Sequence, residues 1–383
     1  MEIKNLKKAA NRILRAIKKK ERIIIYGDSD LDGVASVVIL KECIKNLNGK
    51  ITEVFFPDRE KEGYGINTPA LFYLKKYSPA LLLVLDLGIG NFKEVEMAKK
   101  MGFEIIIIDH HEILEKLPKA DIVVNPKQRG DKYPFKQFAT VGIVFKLAEI
   151  LLNNKISKNL RRSFLELAAM ATIADMMPRT NDNEEIIQEG LGYLNEDSWR
   201  PGIQALMEIE KFKPLTILER VNKVNSLLNI RDIKDDLPVS YRLLTITNKK
   251  EAEKLVKKLL KKEIKKRIRI KEIIDEIEKR IFLFEKEPLV FEGDSKWELI
   301  FLGVIAAVLA QKYQKPIFLY KKGKTDSLGS VRAPSGFNTV EAMKNCSQFL
   351  LTYGGHPAAS GFRVKNNNLE KFKSCLINFF KKQ

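Results

Sequence analysis

Three apolar runs of strand length each stop at an aspartate. Arg22-Ile-Ile-Ile-Tyr-Gly27 is followed by Asp28, Leu81–Leu85 by Asp86, and Phe103–Ile108 by Asp109. Ile51–Phe56 and Asp121–Val124 add two further candidate strands, and helical segments such as Val34–Asn46 and Asn91–Met101 separate several of the five. Uniformly apolar strands need cover on both faces. Strands alternating with helices predict a doubly wound, mainly parallel α/β sheet. Ligands of such sheets bind outside the carboxyl ends of the strands, which is where these aspartates stand.

Downstream, the stretch from about Phe138 to Glu210 reads as helical, with Val144, Leu147, Ile150 and Leu151 at helical spacing. A Lys-rich helix follows from about Lys249 to Arg280, its apolar positions Leu255, Leu259, Ile264, Ile268, Ile273 and Ile277 marking one face. A second α/β unit then begins near Trp297, with a helix over Gly303–Tyr313 and strands over Pro316–Tyr320 and Ser327–Arg332. The expected organisation is a large domain over residues 1–245, a basic connecting helix over 246–290 and a smaller α/β domain over 291–383.

The histidines sharpen the chemistry. The chain has three. Two sit in Asp109-His110-His111 and the third in Gly354-Gly355-His356-Pro357-Ala358-Ala359-Ser360-Gly361. Alone, each would be an ordinary core or surface histidine, but an Asp-His-His at the end of a strand points to a metal or proton-transfer site. Asp28-Ser-Asp30-Leu-Asp32-Gly, Asp86, Asp109 and Asp175 (in Thr172-Ile-Ala-Asp) supply carboxylates at strand or helix ends. Gathered in one crevice they would repel unless a cation held them. Oxygen ligands mixed with imidazole suit Mn²⁺ or Mg²⁺, and the lack of cysteine argues against structural zinc. A calcium loop starting at Asp28 would need a glutamate at its twelfth position, which is Ile39, and a helix before it in place of a strand. Taken singly, Asp86 or Asp175 could equally be a helix cap.

The net charge of +19 points to a polyanionic partner. Cys43, Cys346 and Cys375 are far apart and odd in number, so neither a disulfide framework nor a zinc spacing is expected, which suits a reducing cytosol. Met1-Glu2-Ile3-Lys4 lacks a signal-peptide apolar region, and no apolar run approaches the ~20 residues of a spanning helix. The expected location is cytoplasmic, with no membrane partner.

In order and spacing, Asp28-Ser-Asp-Leu-Asp-Gly, Asp86, Asp109-His110-His111 and Thr172-Ile-Ala-Asp175 resemble motifs I to IV of the DHH phosphoesterase family. Gly354-Gly355-His356 with Ala359 and Gly361 resembles the DHHA1 domain that accompanies it. Arg59-Glu-Lys-Glu-Gly-Tyr-Gly65, Asn125-Pro126 and Arg200-Pro-Gly-Ile203 look like the RecJ-like exonuclease branch. This resemblance implies a DHH domain carrying two Mn²⁺ or Mg²⁺ ions, with a DHHA1 domain closing over the crevice. Asp28 and Asp30 would hold one ion and Asp32, His110 and Asp175 the other, with Asp86 bridging. Asp109 and His111 would be catalytic, supporting a ligand or facing the phosphate. Ser330, Arg332, Gly354, Gly355 and His356 would contact substrate, the guanidinium offering bidentate phosphate contact.

Two departures stand out. The Asn-Ala-Ala-Gly-Arg stretch usual in RecJ-like chains has only Leu227-Leu-Asn229-Ile-Arg231-Asp as its nearest match, without the glycine. Only about twenty residues follow Gly361, so an appended OB-fold is not expected; the pattern is that of the compact archaeal type. Lys249–Arg280 carries fourteen Lys/Arg against seven Asp/Glu, which fits either a DNA track or a solvated connecting helix.

The expected activity is metal-dependent exonuclease action on single-stranded nucleic acid, DNA ahead of RNA, in replication, repair or recombination. Two alternatives stand beside it. One is hydrolysis of short oligonucleotides or cyclic dinucleotides. The other is a replisome scaffold binding the GINS complex and the replicative helicase, for which degraded ligands would be expected.

Overall fold

The computed structural model describes residues 2–59, 63–113, 116–153, 156–196, 198–281 and 287–382. Residues 60–62 of the Arg59–Gly65 stretch therefore lie outside the described residues, as do 282–286. The chain forms two compact units, Met1–Lys261 and Lys262–Gln383.

In the first unit, β1 (Ile23–Gly27), β2 (Ile51–Phe55), β3 (Ala80–Leu85), β4 (Phe103–Ile108) and β5 (Ile122–Val124) form a parallel sheet of order β2-β1-β3-β4-β5. The apolar runs are buried on both sides because the pleat divides them between two cores. Ile23 and Ile25, Leu81, Leu83 and Leu85, and Ile106 and Ile108 face the core shared with α1 (Leu6–Lys18), α2 (Leu31–Asn46) and the later helices. Ile24, Tyr26, Leu82, Val84, Ile105 and Ile107 face a smaller core under the helices Thr68–Leu74 and Phe92–Lys100. The doubly wound sheet read from the sequence is thus observed. The region from 138 to 210 is helical, as expected, but as separate helices: Thr140–Leu152, Lys158–Ala174, Asn181–Glu196 and Pro201–Met207. The short strands β6 (Ile233–Lys234) and β7 (Leu237–Pro238) pair before the helix Val239–Thr245.

The strand order reverses direction between β1 and β3, so the switch point of the sheet lies at their carboxyl ends. The ladder continues one residue past each strand there. Asp28 N–H donates to Leu85 O (3.1 Å), Asp86 N–H to Ile108 O (3.0 Å) and Asp109 N–H to Val124 O (3.1 Å). The three aspartates consequently stand side by side across β1, β3 and β4.

The long helix runs Lys249–Ile281. Ala252, Val256 and Leu259 belong to the core of the first unit, and Ile273 and Ile277 to a core of the second. The sheet of the second unit starts earlier than Trp297, with β8 (Val290–Asp294). This strand pairs in parallel with β9 (Ile317–Lys322) through the crossover helix Leu299–Tyr313. The antiparallel strands β10 (Asp326–Arg332), β11 (Leu350–His356) and β12 (Ala359–Lys365) complete a mixed sheet of order β11-β12-β10-β9-β8. The helices Thr339–Asn345 and Leu369–Phe380 cover one face.

The cysteine expectation is corrected. Cys346 and Cys375 form a disulfide across 29 residues, while Cys43 is free and buried. The pair joins the end of one covering helix to the middle of the other. Sequence separation alone could not reveal a proximity that packing on the sheet creates. No helix among the described residues is long and apolar enough to cross a membrane.

Candidate functional site

The first unit collects its acidic motifs at the switch point. Asp28, Asp86 and Asp109 come from the strand ends, Asp30 and Asp32 from the start of α2, His110 and His111 from the turn after β4, and Asp175 from the end of the helix Lys158–Ala174. Three sets have ligand atoms mutually within 4.8 Å: Asp28, Asp30 and Asp86; Asp32, His110 and Asp175; Asp86, His110 and His111. Asp86 and His110 are each shared by two sets. All six residues expected to hold metal, together with His111, therefore fall in one cluster.

Local contacts aim these side chains. Asp30 caps α2, accepting from Gly33 N–H at 3.1 Å. Asp32 reaches the amino end of the helix Thr140–Leu152 and accepts from Thr140 N–H (2.7 Å) and Val141 N–H (2.8 Å), two donors that the helix itself leaves unpaired. Thr140 Oγ1 donates to Asp86 Oδ1 at 2.9 Å. Asp86 adopts φ 64°, a left-handed conformation that aspartate tolerates better than most residues. Buried Asp109 accepts from the N–H groups of Ile89 (3.1 Å), His110 (2.8 Å) and His111 (3.1 Å), and lies 2.7 Å from His111 Nδ1. That contact fixes the His111 ring and leaves Nε2 turned away from the carboxylate, 3.2 Å from the Tyr64 hydroxyl.

The electrostatics follow mainly from burial. Burial, and then the neighbouring carboxylates, hold Asp32 and Asp86 well above the usual carboxylate range. Burial and the charge of Asp30 push Asp175 up to about 6. Burial, reinforced by the charge of His111, lowers His110 to about 4. Asp109 is also pushed up by burial, but its hydrogen bond to His111 and the charge of that ring prevail and lower it. His111 shifts the other way: burial opposes its protonation most, but the bond to Asp109 together with the charges of Asp109, Asp175 and Asp32 prevails and raises it.

The donor set suits a divalent cation. His110 Nε2 lies 3.5 Å from Asp86 Oδ1, 3.5 Å from Asp175 Oδ2 and 4.0 Å from Asp32 Oδ2. Both His110 ring nitrogens and Asp175 Oδ2 are buried without a hydrogen-bond partner among the described residues. Orphaned buried polar atoms are costly, and a cation among them would satisfy the histidine lone pair and lower the carboxylate repulsion together.

Arg59 was not expected among the site residues, although it lies in a stretch that the sequence singled out. Its guanidinium grips Asp28, with Nε 2.6 Å from Oδ1 and Nη2 on Oδ2, and reaches Asp30 at 3.0 Å. A cation just beyond the end of β2, the strand beside β1, was the available signal. Thr140 gave none, since it stands 108 residues from Asp32. Arg231 pairs with Asp58 at 2.8 Å, and both line a cavity of about 380 Å³ that also touches Ser29, Asp30 and Arg59.

In the second unit, strand register arranges the remaining candidates. Arg332 pairs with Ala359, which pairs with His356; Ser330 pairs with Gly361, which pairs with Gly354. Paired residues share a face of the sheet, so Arg332 and His356 flank Ala359 in one row, and Ser330 adjoins the bare Gly361 and Gly354 in the next. Gly355 has φ 128°, a conformation open to glycine, and a Cβ there would meet Ala359 O at 2.6 Å. Gly303 lets the backbone of the helix Leu299–Tyr313 approach, since its Cβ would stand 3.2 Å from Arg332 Nη2. Arg332 donates to Val331 O at 2.8 Å, and no carboxylate among the described residues forms an ion pair with it.

Residues 22–172 match the DHH family, N-terminal domain, and residues 286–382 match the DHHA1 domain. The single-stranded-DNA-specific exonuclease RecJ of Bacillus subtilis is 32% identical over 390 residues, covering 98% of this chain and 48% of that protein. RecJ of Thermus thermophilus is 28% identical, covering 98% of this chain and 54% of its own. The chain thus spans about half the length of these two relatives. Among solved structures, a crystal structure of exonuclease RecJ bound to manganese has TM-score 0.82 at 24% identity, covering 100% of this chain and 96% of that one. RecJ of Thermus thermophilus in complex with Mn²⁺ has TM-score 0.77 at 24% identity, covering 100% of this chain and 55% of that one. At these identities the likeness is one of fold.

Proposed function

The chain belongs to the DHH–DHHA1 family and has RecJ homologues, and from that premise we propose that it is a metal-dependent exonuclease that hydrolyses single-stranded DNA, working from the 5′ end, in replication, repair or recombination. The observation that carries this reading is the convergence of five aspartates and two histidines into three mutually close sets sharing Asp86 and His110. Two Mn²⁺ or Mg²⁺ ions held there, Asp28 and Asp30 toward one, Asp32, His110 and Asp175 toward the other and Asp86 between them, would polarise the phosphodiester and ease deprotonation of the attacking water.

The protein's own groups do the rest. Thr140 and Val141 fix Asp32, and Thr140 fixes Asp86, so the carboxylates are already aimed before substrate arrives. Asp109 orients His111 and favours its protonated form. An imidazolium so held can donate to a phosphate oxygen. Arg59 can transfer donors from Asp28 and Asp30 to an incoming phosphate, five N–H groups being more than its present bonds require. Ser330, Arg332 and His356 offer a hydroxyl, a guanidinium and an imidazole beside a floor of glycine and alanine where a sugar–phosphate backbone can lie close.

Arg332→Ala should raise KM for single-stranded DNA by about ten- to hundredfold, the worth of one charged hydrogen-bonding group, with a smaller change in kcat. Steady-state kinetics on one labelled oligonucleotide would read this, and kinetics equal to the parent's would remove Arg332 from the site.

The test of the function is cleavage of 5′-labelled single-stranded DNA, the same sequence as RNA, and a dinucleotide, each with Mn²⁺. Immediate release of labelled mononucleotide from DNA is expected. A ladder shortening from the other end would reverse the polarity, and cleavage confined to the dinucleotide would replace the reading with an oligonucleotide-recycling activity. No cleavage of any substrate would favour a scaffold role, under which the retained ligand set has no use.

A further inference from the structure

The sheet of the second unit has one face half open. On that face the helix Leu299–Tyr313 and the end of the long helix cover Ile317 and Leu319 of β9. They do not cover Lys321, two residues further along, which is exposed. The alternation continues across the sheet. In β10, Ser327, Gly329 and Val331 are buried on the far face, while on the half-open one Leu328 is exposed and Ser330 and Arg332, which Gly303 of the helix approaches, are half-buried; in β12, Ser360, Phe362 and Val364 are buried, while Arg363 and Lys365 are exposed.

Register turns this into ordered rows. After Arg332–Ala359–His356 and Ser330–Gly361–Gly354 comes Lys321–Leu328–Arg363–Thr352, and then Asp326–Lys365. Successive rows are two residues apart along each strand, about 6.8 Å, a step comparable to that between phosphates of an extended single strand. Leu328 is 41% exposed in the middle of the third row. The acids on this face are already engaged: Asp326 with Arg363, and Asp294, beside Lys321 in register, with Arg280. No ion pair to Lys321 or Lys365 occurs among the described residues.

We propose that this half-open face is a track for single-stranded DNA, running from Arg332 and His356 along the strands to Lys321, Arg363 and Lys365. The proposal rests on the functional reading above and extends it to nucleotides beyond the reacting end. Lys321 and Arg363, two rows from Arg332, and Lys365, three rows from it, would hold backbone phosphates, Leu328 would meet sugar or base, and the glycines between would let the strand lie against the sheet. Such contacts are independent of base sequence and release counterions. The track would also make the protein prefer long strands to dinucleotides, which reach only the first rows.

The experiment compares the full chain with a Lys321→Ala/Lys365→Ala double variant, both positions being exposed. Binding of a fluorescein-labelled oligothymidylate is followed by anisotropy from low to high salt, and hydrolysis of that strand is compared with that of a dinucleotide. Loss of two phosphate contacts should flatten the slope of log affinity against log salt by about 1.4, and the preference for the long strand should fall. A slope and a length preference equal to the parent's would overturn the track while leaving the exonuclease reading intact. A parent that cleaves neither substrate would overturn that reading, and the change in salt slope would still decide the track.

Discussion

His110→Ala is expected to cut Mn²⁺-dependent turnover by about a thousandfold or more. His110 is the imidazole shared by two of the three ligand sets, and its Nε2 stands 3.5 Å from both Asp86 and Asp175. The loss leaves Asp32, Asp86 and Asp175 facing one another across a small cavity, with no neutral donor between carboxylates that burial already raises. Stability should suffer much less, since neither ring nitrogen makes a hydrogen bond among the described residues. The readouts are single-turnover cleavage across a Mn²⁺ titration and DNA binding at low salt. Binding should largely survive, being carried by many basic contacts. Turnover near the parent's level at any Mn²⁺ concentration would remove His110 from the centre.

The second large effect falls on stability. A Cβ on Gly202 would stand 1.9 Å from Leu243 O, a backbone atom that cannot swing aside. The helix Pro201–Met207 therefore packs directly on the helix Val239–Thr245. Arg200 locks the same junction, donating to Leu244 O at 2.8 Å and to both Glu42 oxygens at 2.9 and 2.7 Å. Gly202→Ala should cost about 3 kcal/mol or more, the range of severe overpacking. A lower midpoint of thermal unfolding, with Mn²⁺-dependent turnover of the folded fraction retained, would be the expected pattern. A midpoint equal to the parent's would show that the two helices can part without cost. This assigns the Arg200-Pro-Gly-Ile203 stretch to architecture: its arginine holds a carboxylate of α2 and a helix end.

The residues at the centre of the first unit could be read from the sequence because each sits at a strand or helix terminus. Strand ends are marked by apolar runs that stop, and a parallel sheet brings such ends to one edge. Arg59 and Thr140 escaped because nothing local ties them to the acids they serve: one approaches from the end of a neighbouring strand, the other from a helix start 108 residues away. The cysteines show the same limit. Cys346 and Cys375 become neighbours only when two helices lie on the same face of the second sheet.

The sequence by itself determined the element types, the doubly wound parallel sheet and the chemical character of the centre, because hydrophobic period and residue type are local properties. Tertiary structure decided what depends on register and packing. It settled which aspartates stand side by side and which N–H groups aim Asp32. It also set the grip of Arg59 on Asp28, and the alignment of Arg332, Ser330, Lys321 and Arg363 on one open face. Each of these is a distance between residues far apart in the chain, fixed by the burial of apolar surface elsewhere.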